Sequence, residues 1–446
     1  MNRRDFLTRS TLGLGSLALS GSALSELARA AESTDRYYVF CYFEGGWDHL
    51  LGLDPRDPAQ FNAANLNTTN IEPGYDLLPA EFSREPITAG GISFGPAIGE
   101  MAELTDHFSV VRGINMATLT HEVGRRYFIT GRPPSGSVAR GSSVASLATW
   151  QLGDTEPVPH LALGVESYLE PDLPAFAAAM QVGGVDSMRY ILRENLGIPT
   201  LVRPGVKDAL ARYWEKARTC DDGGAASSSL AESYRANRAR AVELVKSDLW
   251  REFEFAEPQH AALRAHYGFT ATQLETPFGR AALAAQALKT GLSRVISVAI
   301  AGQLDTHDGQ WALQHPVRLR DGFDAMARLM TDLRDSEAPG GGSLLDKTTL
   351  VAFSEFGRQA RLNPRGGRDH LLTNCALLAG AGIAPGKVVG SSSDNALGPN
   401  LIDLATGQPS EAGVSLKPEH VMSTVLAAGG ITADRLRSEP LTTILR

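Results

Sequence analysis

The chain has 446 residues, 43% hydrophobic and 21% charged, with 45 glycines and 24 prolines. That balance excludes a disordered or fibrous protein, and the length excludes a miniature fold that depends on disulfide staples. With 42 basic against 50 acidic residues the formal charge is -8, which excludes the basic footprint needed to bind a nucleic-acid backbone or an anionic membrane surface.

In chain order, residues 1–30 read as an address rather than as part of the fold. Arg3 and Arg4 make a charged start, Thr11 to Leu24 is weakly apolar and contains Gly and Ser, and Ala28-Arg29-Ala30 supplies a small-x-small cleavage site. The paired arginines followed by Asp5-Phe6-Leu7 resemble a twin-arginine export signal. The resemblance implies the twin-arginine translocase as a partner during export and a periplasmic or secreted protein. Cleavage removes Arg3, Arg4, Arg9 and Arg29 against Asp5 and Glu26, so the remaining chain, from residue 31 to 446, is more acidic still. No later apolar run reaches the roughly 18 residues needed to span a bilayer.

Three later runs have one form: a continuous apolar, β-rich segment followed at once by glycine and ionisable residues. Tyr37 to Phe43 leads into Glu44-Gly45-Gly46-Trp47-Asp48; Arg294 to Ala301 leads into Gly302-Gln303-Leu304-Asp305-Thr306-His307; Thr348 to Phe353 leads into Ser354-Glu355-Phe356-Gly357-Arg358. Unbroken apolar runs suit strands buried on both faces of a parallel sheet. Between the last two, Leu319, Phe323, Met326, Met330 and Leu333 recur at spacings of three and four, which predicts a helix over Val317 to Leu333. The alternation predicts an α/β domain with a mostly parallel sheet and helices on both faces. From about 206 to 291 the pattern turns to charged helix-forming sequence, broken by the linker-like run from Asp221 to Ser229, and is expected to be a helical insertion. Residues from Arg435 onward are expected to be a tail or a short edge strand. Cys41, Cys220 and Cys375 lack C-x-x-C spacing and are assigned to packing.

Ligands in open α/β sheets sit beyond the carboxyl ends of the strands, and that is where the ionisable clusters fall. Asp48, Asp305, His307, Glu355, Asp369 and His370 are the carboxylates and imidazoles that could converge on a cation. Asp305 and His307, two apart past a strand, project to one side; Arg368-Asp369-His370 lies in a loop flanked by glycine. Each also has a structural reading: Asp48 as a turn or cap residue, the histidines as hydrogen-bonded core groups, Glu355 as a partner of Arg358.

A further cluster, Thr120 to Pro134, contains His121, Arg125 and then Thr130-Gly131-Arg132. It resembles sulfatases of the alkaline phosphatase superfamily, in which an arginine and then Thr-Gly-Arg follow a nucleophilic Cys or Ser at a helix N-terminus. His121 stands at the nucleophile position, so a formylglycine nucleophile is ruled out in this register. More broadly, Gly45-Gly46-Trp47-Asp48, His121 with Thr130-Gly131, Asp305-Thr306-His307, Ser354-Glu355-Phe356-Gly357-Arg358 and Gly367-Arg368-Asp369-His370 resemble the exported family known as domain of unknown function 1501. That family is grouped with sulfatases and alkaline phosphatases.

The resemblance implies an alkaline-phosphatase-like or sulfatase-like fold and one or two divalent metal ions, with Zn, Mn, Fe, Ca and Mg all open. It maps the metal ligands onto Asp48, Asp305, His307, Glu355 and His370, with Asp369 as an extra. A conventional imidazole ligand is replaced by Phe356. Thr120 is a candidate nucleophile, His121 a ligand or general acid, and Arg125 a group for binding an anion. The expected activity is hydrolysis of a small phosphate or sulfate ester. The alternative is a non-catalytic exported binding or assembly protein that keeps the fold and one structural metal.

Overall fold

Tyr37–Phe43 (β1) has no polar residue on either face because both faces are covered. Tyr37, Val39, Cys41 and Phe43 enter one apolar layer, and Tyr38, Phe40 and Tyr42 enter the other. The computed structural model describes residues 35–192, 198–199, 201–221, 240–241, 244 and 249–446. The expected export signal, the linker residues 222–229 and most of the charged stretch up to residue 248 lie outside these.

Seven further strands join β1 in one sheet: Phe108–Asn115 (β2), His160–Leu163 (β3), Met180–Val182 (β4), Val295–Ala301 (β5), Thr348–Phe353 (β6), Thr373–Gly380 (β7) and Val388–Val389 (β8). Their order is β8-β2-β7-β6-β1-β5-β3-β4. β7 runs antiparallel to both of its neighbours, β2 and β6, and the other pairs are parallel. β1 lies between β5 and β6, so the carboxyl ends of all three predicted strands stand side by side on one edge.

Helices His121–Thr130 (α1), Val144–Leu152 (α2) and Pro418–Ala428 (α5) cover one face; Pro277–Lys289 (α3) and Trp311–Asp335 (α4) cover the other. The five periodic residues of α4 are completely buried, as the 3.6-residue pattern requires. The helix begins earlier than that pattern predicts because Trp311 and His315 are also drawn into the core. α3 opens on Thr276, whose side chain accepts from Gly279 N, with Pro277 in the first turn. It falls inside the stretch expected to be an insertion, yet its alanines from Ala281 to Ala287 are buried against α4 and β5. Alanine permits that close approach, and composition alone does not distinguish it from a solvated helix. Near the C-terminus Leu441 and Ile444 are buried and Leu445 bridges to Ile383, so this segment is packed rather than free. Cys41 and Cys375 are free and buried. No helix among the described residues is long and apolar enough to cross a membrane.

Candidate metal centre

The turn after β1 depends on its two glycines. Gly45 and Gly46 have φ of 109° and 79°, and a Cβ on Gly45 would stand 2.7 Å from the backbone nitrogens of Leu304 and Asp305. Their absence lets the ends of β1 and β5 close together and turns the carbonyls of Gly45 and Gly46 onto the guanidinium of Arg358. That guanidinium is fully buried. It also donates to Asp305 Oδ1 at 2.5 Å and to the Arg368 carbonyl at 3.1 Å.

Asp305 is the hub on which three imidazoles meet. His307 Nε2 lies 2.8 Å and His370 Nε2 3.1 Å from Oδ1, while His121 Nε2 lies 3.4 Å from Oδ2. Each ring is tied at its other nitrogen: His121 Nδ1 to Glu355 Oε1 at 2.8 Å, His307 Nδ1 to Asp369 Oδ1 at 2.7 Å, His370 Nδ1 to the Leu119 carbonyl at 2.7 Å. Ionised carboxylates and carbonyls only accept, so each Nδ1 carries a proton, and any ring that is neutral turns its Nε2 lone pair toward Asp305. The Nε2 atoms of His307 and His370 are 3.0 Å apart. Lone pairs that close to one another and to a carboxylate are relieved by a cation, either a proton on one ring or a metal ion. Donor atoms from His121, Asp305 and His370 all lie within 4.8 Å of one another, a geometry able to hold one ion.

The surroundings tune these groups. Burial works to raise the Asp305 carboxyl, but the bond to Arg358, that residue's charge and the bond to His370 hold it well below the usual carboxylate range. The bond to Glu355 raises His121, whereas burial lowers His370. For Glu355, burial acts upward and is overcome by hydrogen bonds, led by that of His121 and including the Gly45 N–H, so it stays ionised. His121 opens α1, and that helix can approach because Gly124 faces the Glu355 backbone, where a Cβ would stand 2.2 Å from the carbonyl oxygen.

The predicted residues therefore divide. His121, Asp305 and His370 form the group, and His307 adjoins it. Glu355 and Asp369 stand one bond further out, each orienting an imidazole. Glu355 pairs with His121, and Arg358 pairs instead with Asp305. Asp48 does not join the group: its carboxylate accepts from Trp311 Nε1 at 2.9 Å and faces Arg368 Nε at 3.1 Å, 1% exposed. Thr120 is exposed at the N-cap of α1 and makes no cap bond. Arg125 donates to Glu166 at 2.7 Å, in a cleft that Tyr42, Glu44 and Gln181 also line. Thr130 and Gly131 terminate α1, the glycine in the left-handed conformation. Phe356 packs against the rings of His121 and His370, at centroid distances of 4.7 and 4.2 Å.

Residues that sequence reasoning passed over are Arg358 as the partner of Asp305, Arg368, and His315. His315 accepts from the Asp48 backbone N–H at Nε2 (3.0 Å) and meets Thr306 Oγ1 at Nδ1 (2.8 Å). The one available signal was position: two arginines inside Gly-containing strand-end runs, and a histidine on the apolar face of α4.

Together these features define an α/β protein with a His/Asp/His group at the carboxyl ends of its central strands. The chain belongs to the family described as protein of unknown function (DUF1501), whose profile matches residues 36–403. Among solved structures, it is similar to a protein in the alkaline phosphatase superfamily from Vibrio parahaemolyticus, with 11% identity, a TM-score of 0.39, and coverage of 95% of this chain and 79% of that one. It is also similar to Ps i-CgsB (9%, TM-score 0.39, 92% and 75% covered) and to the PsFucS1 sulfatase from Pseudoalteromonas sp. (13%, TM-score 0.33, 95% and 73% covered). No curated protein matches the chain.

Proposed function

We propose that this protein is a metal-dependent hydrolase of small phosphate or sulfate esters that binds one divalent ion at His121, Asp305 and His370. The observation that carries the metal reading is the set of three imidazoles, each pinned at Nδ1, with their Nε2 atoms turned onto one ionised carboxylate. Metal-ligating histidines are oriented in this way by an acceptor on the other ring nitrogen. Two imidazoles and a carboxylate suit Zn, Mn or Fe better than Ca or Mg. The ester class rests on the motif resemblance.

An ion held by His121, Asp305 and His370 would supply a Lewis acid for an ester oxygen and would lower the pKa of water. The protein's own groups do the rest. Arg358 keeps Asp305 ionised and in one orientation, and Glu355 and the Leu119 carbonyl fix the tautomers of His121 and His370. His307, held by Asp369 and 30% exposed, would take a proton from an attacking water. Arg125 is already engaged by Glu166 and would bind an anionic group only by giving up that pair. Thr120 is the alternative nucleophile.

A second reading, a non-catalytic binding protein with one structural ion, is favoured by the Phe356 ring packed against two of the imidazoles. Metal content and turnover of phosphomonoester, phosphodiester and sulfate ester substrates, measured on the wild type and Asp305→Ala, separate the two. Loss of metal and turnover together supports the hydrolase. Metal without turnover on any substrate supports the second reading, and metal-free wild type sinks both. We also propose that residues 1–30 direct export through the twin-arginine translocase. Replacing Arg3 and Arg4 with lysine is expected to retain the protein in the cytoplasm, and unchanged export contradicts the proposal.

A further inference from the structure

The carboxylate of Asp48 and the guanidinium of Arg368 face each other behind the site at 3.1 Å, each 1% exposed or less. Arg368 Nε has no aligned hydrogen-bond acceptor, so the Asp48 charge is what compensates it there. Its other nitrogens reach the carbonyls of Gln359, Glu72 and Pro73, and the guanidinium lies 4.5 Å over the Trp311 ring. Trp311 Nε1 in turn donates to Asp48. A buried charge held by this many contacts is a fixed point in the fold, and removing its partner is costly.

The backbone of Arg368 joins this point to both ligand loops. Its N–H donates to the Thr306 carbonyl at 3.2 Å, between Asp305 and His307, and its carbonyl accepts from Arg358, which holds Asp305. The next two residues are Asp369, which orients His307, and His370, a member of the group. From the other side, the Asp48 backbone N–H donates to His315, whose second nitrogen holds the Thr306 hydroxyl.

We propose that Asp48 is a positioning residue: acting through Arg368, it sets the Asp305–His307 and Arg368–His370 loops in register so that their donor atoms converge, and it does not bind the ion itself. This rests on the metal reading above. A ligand and a positioning residue differ in how their loss combines with loss of Arg368. If Asp48 acts through Arg368, its removal adds nothing once Arg368 is gone; if it ligates directly, the two losses multiply.

The test is Mn2+ titration of the full chain for the wild type, Asp48→Asn, Arg368→Gln and the double variant, with Arg368→Lys as a milder change and thermal melts confirming that each folds. The expected result is a 10–100-fold weaker affinity for each single variant, the range for residues that orient ligands, and a double variant no weaker than Arg368→Gln alone. The Co2+ absorption spectrum is expected to keep its maxima in Asp48→Asn, because the ligand set is unchanged. Multiplying effects, a shifted Co2+ spectrum, or an Asp48→Asn affinity equal to wild type overturns the proposal. If Asp48→Asn or Arg368→Gln fails to fold, Arg368→Lys decides: affinity within twofold of wild type overturns it, and a tenfold loss with unchanged Co2+ maxima supports it. Wild type that binds no Mn2+ or Co2+ is a different outcome, which overturns the metal reading and leaves no ligands for Asp48 to position.

Discussion

His307 Nε2 and His370 Nε2 face each other at 3.0 Å, although both rings spend their Nδ1 protons elsewhere, on Asp369 and on the Leu119 carbonyl. Two neutral imidazoles do not hold lone pairs in that relation without a cation between or beside them. Arg358 Nη1, 3.4 Å from His307 Nε2, supplies part of the compensation. A proton on one ring or a metal ion beside them would supply the rest.

Glu355 and Asp369 each hold one imidazole, and in the proposed hydrolase the two imidazoles differ in role. Glu355→Gln loosens a ligand and is expected to weaken metal affinity about 10–100-fold. Asp369→Asn loosens His307, the proposed proton acceptor, and is expected to leave affinity within about threefold while lowering kcat about 100-fold or more. Titration of metal beside steady-state kinetics checks both, and equal effects of the two variants on affinity would remove the distinction.

Arg358 compensates Asp305 and three backbone carbonyls from a fully buried position. Arg358→Met leaves those acceptors without their donor and is expected to cost about 3–5 kcal/mol in urea denaturation, the range for breaking a buried charge arrangement. Arg358→Lys, which keeps the charge and loses the fork, is expected to fall between the two. A change below about 1 kcal/mol for Arg358→Met contradicts its assigned role.

His160 and His315 are fully buried and kept neutral by burial, with pKa values lowered from the ordinary 6.5 to about 4 and about 3. The unfolded chain takes up these protons below about pH 6.5 and the folded one does not, so stability is full above that pH and falls as the pH drops toward 4. Each proton contributes about 1.4 kcal/mol per pH unit in that window. Tm is expected to fall steadily from pH 6.5 to 4.5, less steeply in His160→Gln. A flat profile in both proteins is the contrary result.

Gly124 lets α1 rest on the Glu355 backbone and so brings His121 to the site. Gly124→Ala is expected to destabilise by about 1–3 kcal/mol through overpacking, despite the better helix propensity of alanine, and to weaken metal binding because His121 is displaced. Chemical denaturation and metal titration of the variant check the two effects, and a stabilised variant contradicts the packing described.

The strands were legible because a parallel sheet covered on both faces writes itself as unbroken apolar runs, and Tyr37–Phe43 and Thr348–Phe353 coincide with theirs. The edge strands Met180–Val182 and Val388–Val389 carry too few residues for a pattern. α3 reads in sequence like the rest of the charged helical stretch because a helix of alanines looks alike whether it is buried or exposed. At the site, strand-end position pointed to Asp305, His307, Glu355 and His370, but it could not separate atoms that face the group from atoms that orient them. Asp48 shows the limit most clearly. It sits beside the others in the turn after β1, but its carboxylate is taken up by Trp311 and by the buried Arg368, 320 residues away in sequence.

The most direct test of a metal held by His121, Asp305 and His370 is anomalous diffraction from crystals grown with Zn2+ or Mn2+. A single peak is expected about 2.0–2.3 Å from His121 Nε2, His370 Nε2 and an Asp305 carboxylate oxygen, with each histidine still bonded at Nδ1. Crystals saturated with either ion that show no peak among these three side chains would contradict the account.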